Sequence, residues 1–207
     1  MINLKNIQYK ISQKTILQNI YLNIQEGKTT VIMGKNGSGK STLLKLLNQI
    51  IKPTSGLFDS TLSKPVPMLF QKPLMLQNSV NYNYHILQKI KKHQINHFWF
   101  KKFDLSQLSN QKMNSLSEGE KQKVFISRIM SFDQSHLFLD EPNQSLDLQS
   151  EKLLIDLLIN EKKQKTIVMT LHDFEIAKKI GDYFLYLENG KILLQDSYEN
   201  FFKKFNF

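Results

Sequence analysis

Gly34-Lys35-Asn36-Gly37-Ser38-Gly39-Lys40-Ser41-Thr42 fits the pattern G-x-x-x-x-G-K-[ST]. It stands between a short β-rich run, Thr29-Thr30-Val31-Ile32-Met33, and a helical pattern with Leu43, Leu46, Leu47 and Ile50 on one face. Strand, glycine-rich loop and helix in that order are the context in which the pattern holds phosphate. Gly34, Lys35, Asn36, Gly37, Ser38 and Gly39 form a cradle whose backbone N–H groups turn inward, and the helix start near Lys40 adds partial positive charge. This chemistry assigns Lys40 to the β- and γ-phosphates of a nucleotide, the Ser41 hydroxyl to Mg²⁺ and Thr42 toward the α-phosphate. A glycine-rich turn that merely starts a helix needs no Lys-Ser pair at this offset.

Outward from the loop, the amino end alternates apolar and polar residues at Ile2 and Leu4, again at Ile7, Tyr9 and Ile11, and again at Ile20, Leu22 and Ile24. This predicts half-buried antiparallel strands. The last third predicts strands at 136–140, 166–171, 183–187 and 191–195 and helices near 150–160 and 173–180, with Asn189-Gly190 as the turn joining the last two strands. The middle, from about Ser79 to Met113, carries helical spacings. The fold class is therefore α/β, with a mostly parallel sheet, an N-terminal antiparallel β region and one domain over 1–207 that holds an inserted helical subdomain at about 79–130.

Two further stretches carry chemistry. His136-Leu137-Phe138-Leu139 ends in Asp140-Glu141, placing Asp140 to hold Mg²⁺ through water and Glu141 to polarise an attacking water. Leu116-Ser117-Glu118-Gly119-Glu120 leads into a helix ending near Met130, so that the Ser117 hydroxyl, the Gly119 N–H and the helix dipole converge on a second anion position. A Ser117/Glu120 capping box explains that helix start equally well when taken alone.

With these motifs in place the chain resembles the ATP-binding subunits of ABC transporters from Leu4 to about Asp196. The order is the family's: Walker A at 34–42, Gln71 of the Q-loop, the signature at 116–120, Walker B at 136–141, the D-loop Ser145-Leu146-Asp147 and the switch histidine His172. The resemblance implies ATP and Mg²⁺ as ligands, with Ser41, Gln71 and Asp140 around the metal. It implies Glu141 as general base, His172 on the γ-phosphate, and Gln71 touching both Mg²⁺ and the attacking water. It also implies a head-to-tail homodimer in which Ser117 and Gly119 complete the partner's site, and it counts Asp147 of the D-loop among the nucleotide-binding residues. Transmembrane permease subunits would turn that motion into transport, with a solute-binding protein added for an importer. The region Phe70-Gln71-Lys72-Pro73-Leu74-Met75-Leu76 is similar to that of tungstate-type oxyanion importers.

The chain departs from the family at Glu118, where the signature has its first glycine; this side chain is expected to face solvent. The adenine-stacking aromatic is also displaced: Ile11 takes the register, and Tyr9 either stacks in its place, leaves an aliphatic contact to do so, or is a plain core residue. Phe98, Trp99, Phe100 and Phe103 are expected to pack the helical subdomain, with a groove that receives a membrane subunit's coupling helix as the alternative for some of them, and Tyr198, Phe201, Phe202 and Phe205 to close over the chain's own domain, with contact to lipid as the lesser alternative. His93 and His97, four apart, have no evident third metal ligand and read as solvated or packed.

Composition bounds the rest. Zero cysteine excludes disulfides, thiolate metal sites and cysteine nucleophiles. No apolar run approaches the ~18 residues of a membrane span, so the expected location is cytoplasmic; the resemblance to transporter subunits implies a peripheral place on the inner face of the cell membrane. The formal net charge of +10 is carried almost wholly by lysine in a chain also rich in Asn and Ile, which reads as compositional drift. No nucleic-acid partner is expected. The rival, a soluble ABC-type ATPase acting on nucleic acid or ribosomes, lacks here the tandem domain or long coiled-coil insertion usual in it. A small-molecule kinase leaves the signature and His172 unexplained.

Overall fold

The computed structural model describes residues 1–62, 65–91 and 96–204, so that His93 and Phe205 lie outside the described residues. In chain order the strands are β1 (Ile2–Ile11), β2 (Lys14–Ile24), β3 (Thr29–Met33), β4 (Ser55–Ser60), β5 (Met68–Leu69), β6 (His136–Asp140), β7 (Thr166–Thr170), β8 (Tyr183–Glu188) and β9 (Lys191–Ser197). The helices are α1 (Lys40–Leu47), α2 (Val80–Lys91), α3 (Phe98–Lys102), α4 (Glu118–Met130), α5 (Leu148–Glu161), α6 (Phe174–Ile180) and α7 (Tyr198–Lys204).

The amino-terminal alternation becomes a three-stranded antiparallel sheet of order β2-β1-β4. Its parity skips a residue between Leu4 and Ile7 and again between Leu17 and Ile20, yet all four side chains are buried. The skips fall at Asn6 and Asn19, which stand at φ 55 and φ 53, and the pairing shifts register beside both. An extra residue in the left-handed region returns the following side chains to the core face, and Asn tolerates that conformation better than most.

The second sheet has the order β5-β6-β7-β3-β8-β9, parallel throughout except for the antiparallel β8–β9 hairpin. Every residue of β3, β6 and β7 is buried, as continuous apolar runs require when both faces of a sheet are covered. Alternate residues feed two cores. Val31, Met33, Leu137, Leu139, Ile167 and Met169 join the core that includes α4, α5 and α6, whereas Ile32, Phe138, Val168 and Leu185 meet the antiparallel sheet and the Leu43, Leu44, Leu46 and Leu47 face of α1.

Helix α1 stops short of Ile50, which is 40% exposed instead of lying on the buried face. Gln49 takes φ 57, its N–H bonds Leu46 O at 2.9 Å, and Ile50 N–H reaches back to Lys45 O at 2.9 Å. These paired bonds close the helix end on a left-handed residue and throw the chain outward. The buried Asn48 then bonds both backbone groups of Val66, at 2.9 and 3.0 Å, which fixes the approach to β5.

Between β5 and β6, Trp99, Phe100 and Phe103 pack with Tyr84 and the buried face of α4. Phe98 does not join them: it is 44% exposed, with the Lys102 ammonium 5.5 Å from its ring centre. Helix α7 closes over its own domain, Phe201 being fully buried with its ring 5.4 Å from that of Phe184.

Asn189 (φ 47) and Gly190 (φ 74) make the two-residue turn of the β8–β9 hairpin. The turn also joins distant segments. Gly190 N–H donates to Ser38 O at 3.0 Å, and Gly190 O accepts from Gln18 N–H at 2.8 Å. A Cβ at position 190 would stand 2.3 Å from Ile16 O.

Candidate nucleotide-binding and catalytic site

The loop from β3 to α1 turns through positive φ at Gly34, Gly37 and Gly39. The Lys40 side chain folds back into it, its ammonium donating to Gly34 O at 2.8 Å and Lys35 O at 3.1 Å. Burial lowers the Lys40 pKa, and the charges of Glu141 and Asp140 oppose that shift. The ammonium is thus held within the loop with carboxylates beyond it.

Adjacent parallel strands bring the other groups to the same edge. The two-residue β5 pairs with β6 through Met68↔Phe138 and Leu69↔Leu139, which sets Gln71 just past the edge beside Glu141. β6 pairs with β7 up to Asp140↔Thr170, which places His172 on Glu141's other side. Gln71 Nε2 donates to Glu141 Oε2 at 3.0 Å, and His172 Nε2 lies 2.7 Å from Glu141 Oε1, where a protonated Nε2 donates to the carboxylate. Glu141 is only 8% exposed and stands at φ 48, an uncommon conformation for glutamate. Thr170 holds it there: the Thr170 hydroxyl accepts from Glu141 N–H at 2.8 Å and donates to Asp140 Oδ1 at 2.7 Å.

A cleft of about 620 Å³ gathers these groups. Asn36, Gly37, Gly39, Lys40, Ser41, Thr42, Gln71, Glu141 and His172 line it, as the sequence predicts. Gly34, Lys35 and Ser38 are not on its wall, nor is the buried Asp140. Ile16, Asn143, Gln144 and Asp173 line it without having been anticipated, and neither does the sequence point to Thr170. The available signals were the adjacency of Asn143-Gln144 to Glu141 and of Asp173 to His172. For the base contact, neither Tyr9 nor Ile11 reaches the cleft: Tyr9 packs against the second core, Ile11 is 55% exposed, and Ile16 is the aliphatic side chain on the wall.

Ser117, Gly119 and Asp147 stand apart from this cleft. Ser117 is the N-cap of α4 in a complete capping box, its N–H bonded to Glu120 Oε2 at 2.8 Å and its hydroxyl accepting from Glu120 N–H at 3.3 Å. The Ser117 hydroxyl, donating to Glu120 Oε2 at 2.8 Å, and then the Ser117 N–H lower the Glu120 pKa. Glu118 faces solvent, its side chain 77% exposed, and pairs with Lys121 at 2.7 Å. Gly119 is held close to the D-loop, where a Cβ would stand 2.7 Å from Ser145 O. Asp147 caps α5, and its pKa is held well below the carboxylate range by the Ser150 N–H bond first and the Lys123 pair next.

The Ser41 hydroxyl, the Gln71 amide oxygen and the Asp140 carboxylate are hard oxygen donors, the class that suits Mg²⁺. Among the described residues no group of three or more His, Cys, Asp or Glu forms a self-sufficient metal cage. Mg²⁺ is ordinarily held by one or two carboxylates together with nucleotide phosphates and water, so these residues fit it.

The sequence pattern of the family described as "ABC transporter" matches residues 17–144. The chain belongs to that family. A phosphonates import ATP-binding protein of Fusobacterium nucleatum is 31% identical over 93% of this chain and 90% of its own length. A tungstate uptake system ATP-binding protein of Peptoclostridium acidaminophilum is 29% identical over 92% of this chain and 96% of its own. Among solved structures, the ATP-binding cassette MJ0796 of Methanocaldococcus jannaschii, a dimer in a post-hydrolysis state bound to ADP and Pi, superposes with a TM-score of 0.84 at 28% identity, covering 96% of this chain and 99% of that one. This ABC chain is an ATP-binding, ATP-hydrolysing cassette with the α/β P-loop fold. Among its described residues no helix is long and apolar enough to cross a membrane.

Proposed function

We propose that this chain powers solute import through separate transmembrane permease subunits on the inner face of the cell membrane, acting as a head-to-tail homodimer. The observation that carries the catalytic part is the convergence of Gln71 and His172 on the Glu141 carboxylate, on one wall with Lys40 and Ser41. In this reading the loop and Lys40 hold the phosphates, and Glu141 takes the proton of a water that attacks the γ-phosphorus. Gln71 orients that water, and His172 moves from Glu141 to the γ-phosphate when the site fills. Ser41 and Gln71, with the buried Asp140 acting through water, would hold Mg²⁺, whose charge would neutralise the phosphates. Ser117, Gly119 and Asp147 lie away from their own chain's cleft, and in this reading they complete the site of a second copy, for which the Ser117 hydroxyl turns from Glu120. Import is supported by the phosphonate and tungstate relatives, and an oxyanion such as tungstate is the narrower reading of the solute.

Glu141→Gln tests this. The variant keeps the side chain's size but replaces one of the two oxygens that accept from Gln71 and His172 with an NH2 group and loses the proton acceptor, so steady-state hydrolysis should fall by roughly 10²-fold or more while ATP holds it as a dimer. Turnover equal to the parent's would remove Glu141 from the mechanism. Recovery of an integral membrane protein with the tagged chain supports the transporter reading, whereas salt-sensitive recovery of RNA or DNA alone supports the rival.

A further inference from the structure

The first turn of α4 carries two carboxylates, Glu118 and Glu120, at the helix end that the head-to-tail reading turns toward a partner's γ-phosphate. Glu120 is internally occupied, its Oε2 taking both the N–H and the hydroxyl of Ser117, each at 2.8 Å. Glu118 is different. It is at the helix's first position, its side chain is exposed, and its one ion pair is the Lys121 ammonium at 2.7 Å. Lys121 itself is only 17% exposed, and both residues line a second cleft of about 430 Å³ shared with Gln71, Lys72, Gln144 and Ser145. In open water a lone carboxylate here is screened. Once two chains close and water leaves, it faces a triphosphate at short range, and among the described residues Lys121 is the cation paired with it, Lys72 lining the same cleft.

We propose that Lys121 is the positioning residue that makes Glu118 tolerable in the signature turn: it draws the carboxylate down the helix face and neutralises it, so that the Gly119 N–H, and the Ser117 hydroxyl once it turns from Glu120, meet the partner's γ-phosphate. This rests on the head-to-tail reading and adds a residue to it. Lys121 matters only because Glu118 is present, and that dependence separates it from a lysine that merely supports the fold.

The experiment measures the ATP-dependent monomer–dimer dissociation constant by analytical ultracentrifugation, in full chains carrying Glu141→Gln. Five are compared: this parent, Lys121→Met, Lys121→Arg, Glu118→Gly and the Lys121→Met/Glu118→Gly double variant. Lys121→Met should weaken the ATP-bound dimer at least about tenfold, a loss of about 1.4 kcal/mol. Lys121→Arg should restore it, Glu118→Gly should match or exceed the parent, and the double variant should match Glu118→Gly. A Lys121→Met dimer as tight as the parent's, or an equal loss with and without Glu118, overturns the proposal. If Lys121→Met fails to fold, Lys121→Gln replaces it under the same criteria. A parent that stays monomeric in ATP overturns the head-to-tail reading, and the proposal with it.

Discussion

Thr170→Val removes one hydroxyl and nothing of comparable volume. That hydroxyl is fully buried, accepts from Glu141 N–H and donates to the Asp140 carboxylate, at 2.8 and 2.7 Å. Valine leaves a buried N–H without an acceptor, at about 1–3 kcal/mol, and strips a buried carboxylate of a donor worth about 1.5–3 kcal/mol. With partial relaxation the expected loss is roughly 2–4 kcal/mol of unfolding free energy, or roughly 5–15 °C in Tm for a chain of this length. Thr29→Val is the internal comparison. Thr29 is also fully buried, but its Oγ1 has no partner among the described residues, so the same change should be neutral or stabilising by up to about 1 kcal/mol. Thr170→Ser should stay within about 1 kcal/mol of the parent because it keeps the hydroxyl. Urea unfolding followed by far-ultraviolet circular dichroism reads all three. Equal costs for the two valine variants would show that the hydroxyl's partners do not set its worth and would refute the role given to Thr170.

Two other outcomes follow from single contacts. His136 is held below the usual histidine value of 6.5, by burial first and the N-terminal charge next, with Glu26 opposing. The unfolded chain therefore binds the proton more readily. This contribution to stability is intact above pH 6.5 and is lost as pH falls from there toward the lower folded value. The urea midpoint should drop between pH 7.5 and 5.5, and His136→Val should flatten that drop; an unchanged slope would exclude His136 as its source. Gly119→Ala gains helix propensity, yet its methyl would stand 2.7 Å from Ser145 O, so it should lower stability by about 1–2 kcal/mol. A stabilised alanine variant in the same assay would show that the D-loop yields freely.

What the sequence made legible was local and periodic. The phosphate loop reads off nine consecutive residues, and the buried strands read off their apolar runs. The wall residues Lys40, Gln71, Glu141 and His172 were all anticipated. Thr170 was not, because its importance arises from parallel pairing that sets it opposite Asp140, a neighbour thirty residues away that no spacing rule indicates. Ile16 was missed for a related reason: the strand that carries it is brought to the cleft by contact with the tip of another hairpin. The end of α1 was overrun because Ile50 continues the apolar period, whereas the left-handed turn at Gln49 has no glycine to announce it. Phe98 was assigned to the interior on hydrophobicity alone, and its neighbours Trp99 and Phe100 fill the available space.

The Asn189-Gly190 turn is, by chain position, the tip of a surface hairpin, where an inserted peptide or a new pair of termini is normally well tolerated. Here the tip is a three-way joint. Its two backbone bonds, to Ser38 in the phosphate loop and Gln18 in the antiparallel sheet, leave no slack for added residues. An insertion there should be felt in the grip on nucleotide, although no nucleotide-contacting residue is altered. The joint also gives the antiparallel sheet a second mechanical connection to the phosphate loop, so that a tilt of that sheet reaches the loop through two hydrogen bonds as well as through the core it shares with α1.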